Sequence, residues 1–188
     1  MPRRDIQFCS GEFYHLYNRG NNLEPIFFER ENYLFFLRQL RQYLLPVLDV
    51  IAYCLMPTHY HLLVRLTDDD LSHRMQLFSI SYTKAMNKRY DRVGALFQGA
   101  FQAKRVDSDA YLAHLSRYIH LNPMLAGYGS SPEEWEFSSY AEYLGLRDGS
   151  LPVPEIVLAQ FPSREAYQAF VEDYAPTERE RIASLLFD

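Results

Sequence analysis

The sequence predicts an α+β fold: a ferredoxin-like sandwich with a central antiparallel sheet, helices on one face, and a short C-terminal extension. Three observations predict it. Strand-like and helix-like blocks alternate in the order β-α-β-β-α-β-α. Two strongly apolar blocks, 48–55 and 59–66, are separated only by the turn Met56-Pro57-Thr58, which makes them a hairpin near the centre of a sheet. The length, 188 residues, suits one domain that buries its own core without disulfides or structural metal.

The elements follow in order. Residues 12–18, EFYHLYN, alternate as a strand does, and RGNN makes a turn. From Glu31 to Leu45, Leu34, Leu37, Leu40, Tyr43 and Leu44 fall at helical spacing, and Pro46 closes the helix. After the hairpin, Asp68–Asp70 break the pattern and can cap a helix over 71–90, which Gly94 brings to an end. FQAKRV at 101–106 reads as a further strand. Ser108 or Asp109 caps a helix expected to run to about Leu121, with Pro123 beyond it. An acidic stretch, SPEEWEFSSYAEYL, comes next; LPVP at 151–154 reads as a linker, and 163–174 as a last amphipathic helix. The division expected is therefore 1–150 for the main domain and 151–188 for an acidic helical extension.

The net charge of −5 argues against nucleic acid until its distribution is considered. Residues 1–130 hold 15 Lys/Arg and 12 Asp/Glu, a net of +3, whereas 131–188 hold 4 and 12, a net of −8. Lys84, Lys88, Arg89, Arg92, Lys104 and Arg105 face only one acid, Asp91, in the span between them. Such a patch suits a phosphate backbone, and it also suits a solvated helix face. Cys9 and Cys54 form no CxxC pair, which points to a reducing compartment. With no apolar run near the roughly 20 residues of a bilayer span and no signal-like N-terminus, a cytoplasmic protein without membrane partners is expected.

Three constellations carry chemistry. His59-Tyr60-His61 on a strand projects both imidazoles from one face, as ligands for a divalent cation would need; a pair of surface strand histidines is the competing reading. Tyr118 and Asn122 share a helix face one turn apart, with His114 one turn earlier and His120 pointing away. Tyr118 falls at the border between the buried stripe and an open face. Asn122 offers a carbonyl oxygen to a metal, or simply ends the helix before Pro123. In LFQGAFQAKR at 96–105, Phe97 and Phe101 alternate with polar and basic residues around Gly99, a pattern open to base stacking or to a plain bulged strand.

Taken together, YHLYNRGN at 14–21, AYCLMPTHYHLLV at 52–64, ALFQGAFQAKRVDSDAYLAHLSRYIHLNPMLAG at 95–127 and WEFSSYAEYLG at 135–145 resemble the HUH endonuclease superfamily. More narrowly, they are similar to the REP-associated tyrosine transposases, relatives of bacterial insertion-sequence transposases. The resemblance covers about residues 8–145, in the family's block order.

The resemblance implies a metal-dependent single-strand DNA endonuclease and strand transferase acting at or near hairpin-forming repeats. His59 and His61 match the metal pair. Tyr118 matches the nucleophile, and Asn122 stands where relatives often place a Gln ligand. The implied cation is Mg²⁺ or Mn²⁺, and the implied intermediate a 5′-phosphotyrosine. Candidate DNA contacts are Arg3, Arg4, Arg19, Lys84, Lys88, Phe97, Phe101, Lys104 and Arg105, with His114 and His120 as possible auxiliaries. Relatives act as monomers or homodimers. The competing readings are a non-catalytic hairpin DNA- or RNA-binding regulator on the same fold, a different metallohydrolase, and a replication initiator or relaxase.

Overall fold

The computed structural model describes residues 6–174. Strand β1 (Phe13–Arg19) is followed by α1 (Arg30–Tyr43), β2 (Leu48–Met56), β3 (His59–Leu66), α2 (Leu71–Arg89), β4 (Gln102–Val106) and α3 (Asp109–Leu125). Among the described residues, three short helices follow: α4 (Tyr140–Tyr143), α5 (Glu155–Leu158) and α6 (Arg164–Glu172). The sheet order is β2-β3-β1-β4, with every neighbouring pair antiparallel. This is the expected α+β, ferredoxin-like arrangement.

Capping explains where helices begin. Glu29 and Asn32 form a reciprocal capping box at α1, the Asn32 Oδ1 accepting from the Glu29 N–H at 3.2 Å. Ser108 accepts from the Tyr111 N–H at the start of α3. Asp70 stands at the N-terminus of α2, but its carboxylate meets Arg74 at 3.2 Å instead of the backbone. The third helix also outruns its expected end at Leu121, because Pro123 lies in its last turn. There the missing N–H costs one bond, and the Ala126 N–H still reaches the Asn122 carbonyl at 3.0 Å.

Helix placement departs from expectation. Tyr14, Leu16, Tyr60, Leu62 and Val64 face one layer with α1 and α2, as a ferredoxin-like unit requires. Leu63, Ile51 and Cys54 form a second core with α3 and the C-terminal helices on the opposite face. Both faces of the sheet are therefore covered, and β2 and β3 are buried along nearly their whole length.

Leu151–Pro154, expected as a linker, is packed. Leu151 is buried, and the Val153 N–H bonds to the Val50 carbonyl at 2.8 Å. Together with Leu55 N–H to Phe137 O (2.9 Å) and Ser139 N–H to Tyr53 O (3.0 Å), it covers the open edge of β2. An uncovered edge would invite pairing with another chain. Among the described residues, no helix is long and apolar enough to cross a membrane.

Candidate active site

The period of two along β3 sends His59 and His61 to the face that α3 crosses, while Tyr60 goes to the other core and packs near Phe36. The two imidazoles stand with centroids 5.1 Å apart and planes at 78°. The register of β1 against β3 pairs Tyr17 with His61 and Arg19 with His59. Alternate residues of β1, His15, Tyr17 and Arg19, thereby join the histidine pair on one surface. From above, the Tyr118 ring meets His61 edge-on, with centroids 5.5 Å apart and planes at 79°.

Hydrogen bonds orient these rings. The His15 Nε2 and His61 Nδ1 lie 2.9 Å apart, their rings stacked at 20°. Thr58 Oγ1 meets His59 Nδ1 at 3.0 Å. Asn122 donates its Nδ2 to the Tyr118 carbonyl at 2.9 Å, which ties the amide to the helix, and its side chain also bonds His59.

Burial keeps all three imidazoles neutral at neutral pH. It holds His15 down to about 3, with the Lys104 charge adding to it. It pushes His61 well below the ordinary histidine range, helped by His59 and His15. For His59, burial also lowers the pKa; the Asn122 hydrogen bond opposes this, and Arg19 reinforces it. Neutral imidazole is the form that ligates a metal.

The donor set fits a divalent cation of the Mn²⁺ or Mg²⁺ kind. Among the described residues, no three His, Cys, Asp or Glu side chains are arranged to hold a metal ion by themselves. Two neutral imidazoles and the Asn122 amide could instead supply part of a coordination shell, which substrate oxygens and water would complete. With His61 Nδ1 engaged by His15, Nε2 is the nitrogen that would bind. His15 would then orient His61 as an outer partner.

The predicted site residues divide by location. His59, His61, Tyr118 and Asn122 come together, although Tyr118 is only 6% exposed and lies within the second core, not at an open border. Arg19 lines a cavity of about 650 Å³ beside the histidines, together with Tyr17, Gln98 and Gln102. Lys104 shares that face through its register with His15, whereas Arg105 points to the other and pairs with Glu12 at 2.8 Å. Lys84 and Lys88 are exposed on α2, across the sheet from the histidines. Phe97 and Phe101, predicted to stack on bases, are buried in the first core and are not available to a ligand. Arg3 and Arg4 lie outside the described residues.

Neither auxiliary histidine is offered to the site. His120 is fully buried, with Nδ1 at 2.7 Å from the Tyr167 hydroxyl and Nε2 at 2.8 Å from Ser139 Oγ. His114 meets Arg117 at 3.1 Å and the Phe170 ring. Both tie α3 to α6 or to the segment before α4.

Sequence reasoning missed His15, Tyr17, Gln98 and Gln102. The signal for the first two was present in YHLYNR, whose alternate residues share one face of β1.

The chain is similar to known proteins in sequence and in fold. The family model described as IS200-like transposase matches residues 38–122, the stretch that holds His59, His61, Tyr118 and Asn122. A Haemophilus influenzae protein described as a REP-associated tyrosine transposase is 27% identical over 103 residues, 49% of this chain and 58% of that protein. The chain thus spans little more than half the length of that relative. The solved structure of a REP-associated tyrosine transposase bound to a REP hairpin shares the fold, with a TM-score of 0.63 and 17% identity over 81% of this chain and 97% of the other. The resemblance read from the sequence therefore recurs in a family model, in a relative and in a fold.

Proposed function

We propose that this chain, a relative of the IS200-like and REP-associated tyrosine transposases, is a metal-dependent single-strand DNA endonuclease and strand transferase. It acts at or near hairpin-forming repeats. The observation that carries the reading is the convergence of Tyr118, from α3, on His61, from β3, with the rings 5.5 Å apart. A tyrosine against two neutral imidazoles is the constellation needed for a phenolic nucleophile beside a cation.

His59, His61 and Asn122 would hold Mg²⁺ or Mn²⁺. When bound, the cation would supply Lewis-acid polarisation of the scissile phosphate and offset charge as the phosphorus is attacked. The Tyr118 oxygen forms a bond to phosphorus in line with the leaving 3′-oxygen, whose bond to phosphorus breaks. The products are a 5′-phosphotyrosine and a free 3′-hydroxyl. Reversal with a second 3′-hydroxyl rejoins a strand. Asn122 holds the Tyr118 turn and His59 in one register, and burial of the Tyr118 ring restrains the nucleophile before attack. His114 and His120 are committed elsewhere, so neither is assigned as the base.

The fold neighbour was solved on a REP hairpin, which makes hairpin DNA flanking the gene the first substrate to try. The protein and Tyr118→Phe would be incubated with Mn²⁺ and labelled single-stranded hairpins, then run on a denaturing protein gel. Label that moves onto the parent only with Mn²⁺, and never onto the variant, is expected. Tight hairpin binding without adduct or cleavage would overturn the chemistry in favour of a non-catalytic binding protein.

A further inference from the structure

Arg19 carries the one permanent charge that lines the cavity beside the histidine pair. Among the described residues, no Asp or Glu lines it, and burial keeps His59 and His61 neutral. The other polar groups in the lining, on Tyr17, Asn18, Thr58, Gln98 and Gln102, are uncharged. A cavity with one cation and no acid suits an anion. The register sets Arg19 opposite His59 across β1 and β3, so the cation enters at the histidine end.

The partner of Arg19 is unlike those of most arginines in the chain. Arg30, Arg65, Arg89, Arg92 and Arg105 each meet a carboxylate. Among the described residues, Arg19 meets none. Its Nε donates instead to Gln98 Oε1, and the Gln98 N–H returns a bond to the Arg19 carbonyl at 2.9 Å. Gln98 thus grips Arg19 by side chain and backbone together. A carboxylate in its place would cancel the charge; a neutral amide orients the guanidinium and leaves the charge to act on a ligand.

The backbone around Arg19 is pinned as well. Asn18, only 5% exposed, accepts the Arg19 N–H at 2.9 Å and donates Nδ2 to the Gly99 carbonyl at 3.3 Å. The Gly20 N–H bonds to the Thr58 carbonyl at 2.7 Å. With Nε engaged by Gln98, the two terminal nitrogens form the outer edge of the fork. That edge matches two oxygens of one phosphate.

We infer that Arg19 is a catalytic residue whose guanidinium takes two oxygens of the phosphate under attack, and that Gln98 is the positioning residue that aims it. The inference rests on the single-strand cleavage reading and adds to it a charge that meets the phosphate from β1.

Two measurements test it together. In the first, adduct formation with Mn²⁺ and saturating hairpin is timed for the parent and for single and double variants at Arg19 and Gln98. Arg19→Ala is expected to slow the step roughly 100-fold, and Gln98→Ala roughly tenfold. Arg19→Lys keeps the charge without the fork and should recover only part of the rate. Gln98→Glu keeps the tie but cancels the charge, and should be slower than Gln98→Ala. In the Arg19→Ala background the Gln98→Ala penalty should disappear, because Gln98 acts through Arg19.

In the second, metal-free Tyr118→Phe protein binds the same hairpin over a series of salt concentrations, read by fluorescence anisotropy. Adding Arg19→Ala should reduce the slope of log affinity against log salt by about 0.7, the share of one phosphate on a single strand. Adding Gln98→Ala, which keeps the charge, should leave the slope unchanged. A parent-like rate and slope in Arg19→Ala, or full rate in Arg19→Lys, overturns the role of the fork. Penalties that simply add in the double variant overturn the role of Gln98. Adducts formed in those cases leave the cleavage reading standing. A slope change without any adduct from the parent keeps the phosphate contact and overturns the cleavage chemistry, the catalytic role of Arg19 with it.

Discussion

His15 Nε2 stands 2.9 Å from His61 Nδ1 within the layer between the sheet and α3, and both side chains are essentially inaccessible to solvent. If His61 presents Nε2 to a cation, its Nδ1 carries the proton and donates it to His15. The His15 Nδ1 is then left without a hydrogen-bond partner among the described residues, at a cost of about 1–3 kcal/mol. An arrangement of that cost is consistent with a ring retained for the orientation it gives its neighbour.

His15→Ala is expected to weaken Mn²⁺ binding by about 10–100-fold, as loss of an outer partner typically does. Titration of free Mn²⁺ by its paramagnetic resonance signal reads this without any turnover. Unchanged affinity in a variant that keeps its circular dichroism spectrum would reduce His15 to a packing residue.

Asn122 joins the Tyr118 carbonyl and His59. Asn122→Ala removes both ties, and adduct formation should fall by at least about tenfold, with hairpin binding in the absence of metal little changed. Such a loss corresponds to about 1.4 kcal/mol of transition-state stabilisation. Asn122→Gln keeps the amide on a longer arm and should recover part of the rate. Equal rates for the parent and Asn122→Ala would remove it from the site.

Acid should unfold the protein partly through His120. Its folded pKa, held to about 3 by burial, lies below the ordinary value of 6.5. Between those values the unfolded chain binds a proton on this ring and the folded chain does not. Its contribution is complete above about 6.5 and is lost as the pH falls toward 3, by up to about 1.4 kcal/mol per pH unit. Urea unfolding at pH 7 and pH 5 should show a smaller difference for His120→Gln than for the parent. An equal difference would contradict this.

The helix α6 holds α3, which carries Tyr118, in place. The Tyr167 hydroxyl meets Ser116 Oγ at 3.0 Å and His120 Nδ1 at 2.7 Å, and the Arg117 guanidinium lies 4.3 Å from the centroid of the Phe170 ring. Tyr167→Phe leaves the buried His120 Nδ1 unpaired, while Ser116 keeps its bond to the Ala113 carbonyl, and should cost about 1–3 kcal/mol of stability. Tyr167→Ala should cost about 3–5 kcal/mol. A chain cut after residue 150 uncovers Tyr167's side of the second core and should lose cooperative thermal unfolding. Cooperative unfolding of that fragment at the parent's temperature would make 151–188 a separate appendage.

Much of the fold follows from local pattern. Alternation and helical spacing locate all four strands and the three long helices, because each needs only its own side chains to declare a buried side. The same local rules put His59 with His61 and Tyr118 with Asn122. They stop where burial becomes two-sided. Leu62 and Leu63 are both fully buried, one in each core, so apolarity in β3 does not say which face the histidines share with which helix.

The rest is decided by register and layering across distant segments. His15 becomes a partner of His61 only through the pairing of β1 with β3. The aromatic-basic run at 96–105 divides: Phe97 and Phe101 turn into the first core, while Lys104 stays on the face that carries the histidines. Lys84 and Lys88 fall beyond the sheet because α2 packs on the opposite layer. By itself, the sequence determined the order of elements and set His59 with His61 on one strand face and Tyr118 with Asn122 on one helix face, since those depend on spacing within one strand or one helix; their expected roles came only from the family resemblance. Only the tertiary structure decided which residues surround them, since neighbours across a sheet are separated by 46 positions in the case of His15 and His61, and no local periodicity reaches that far.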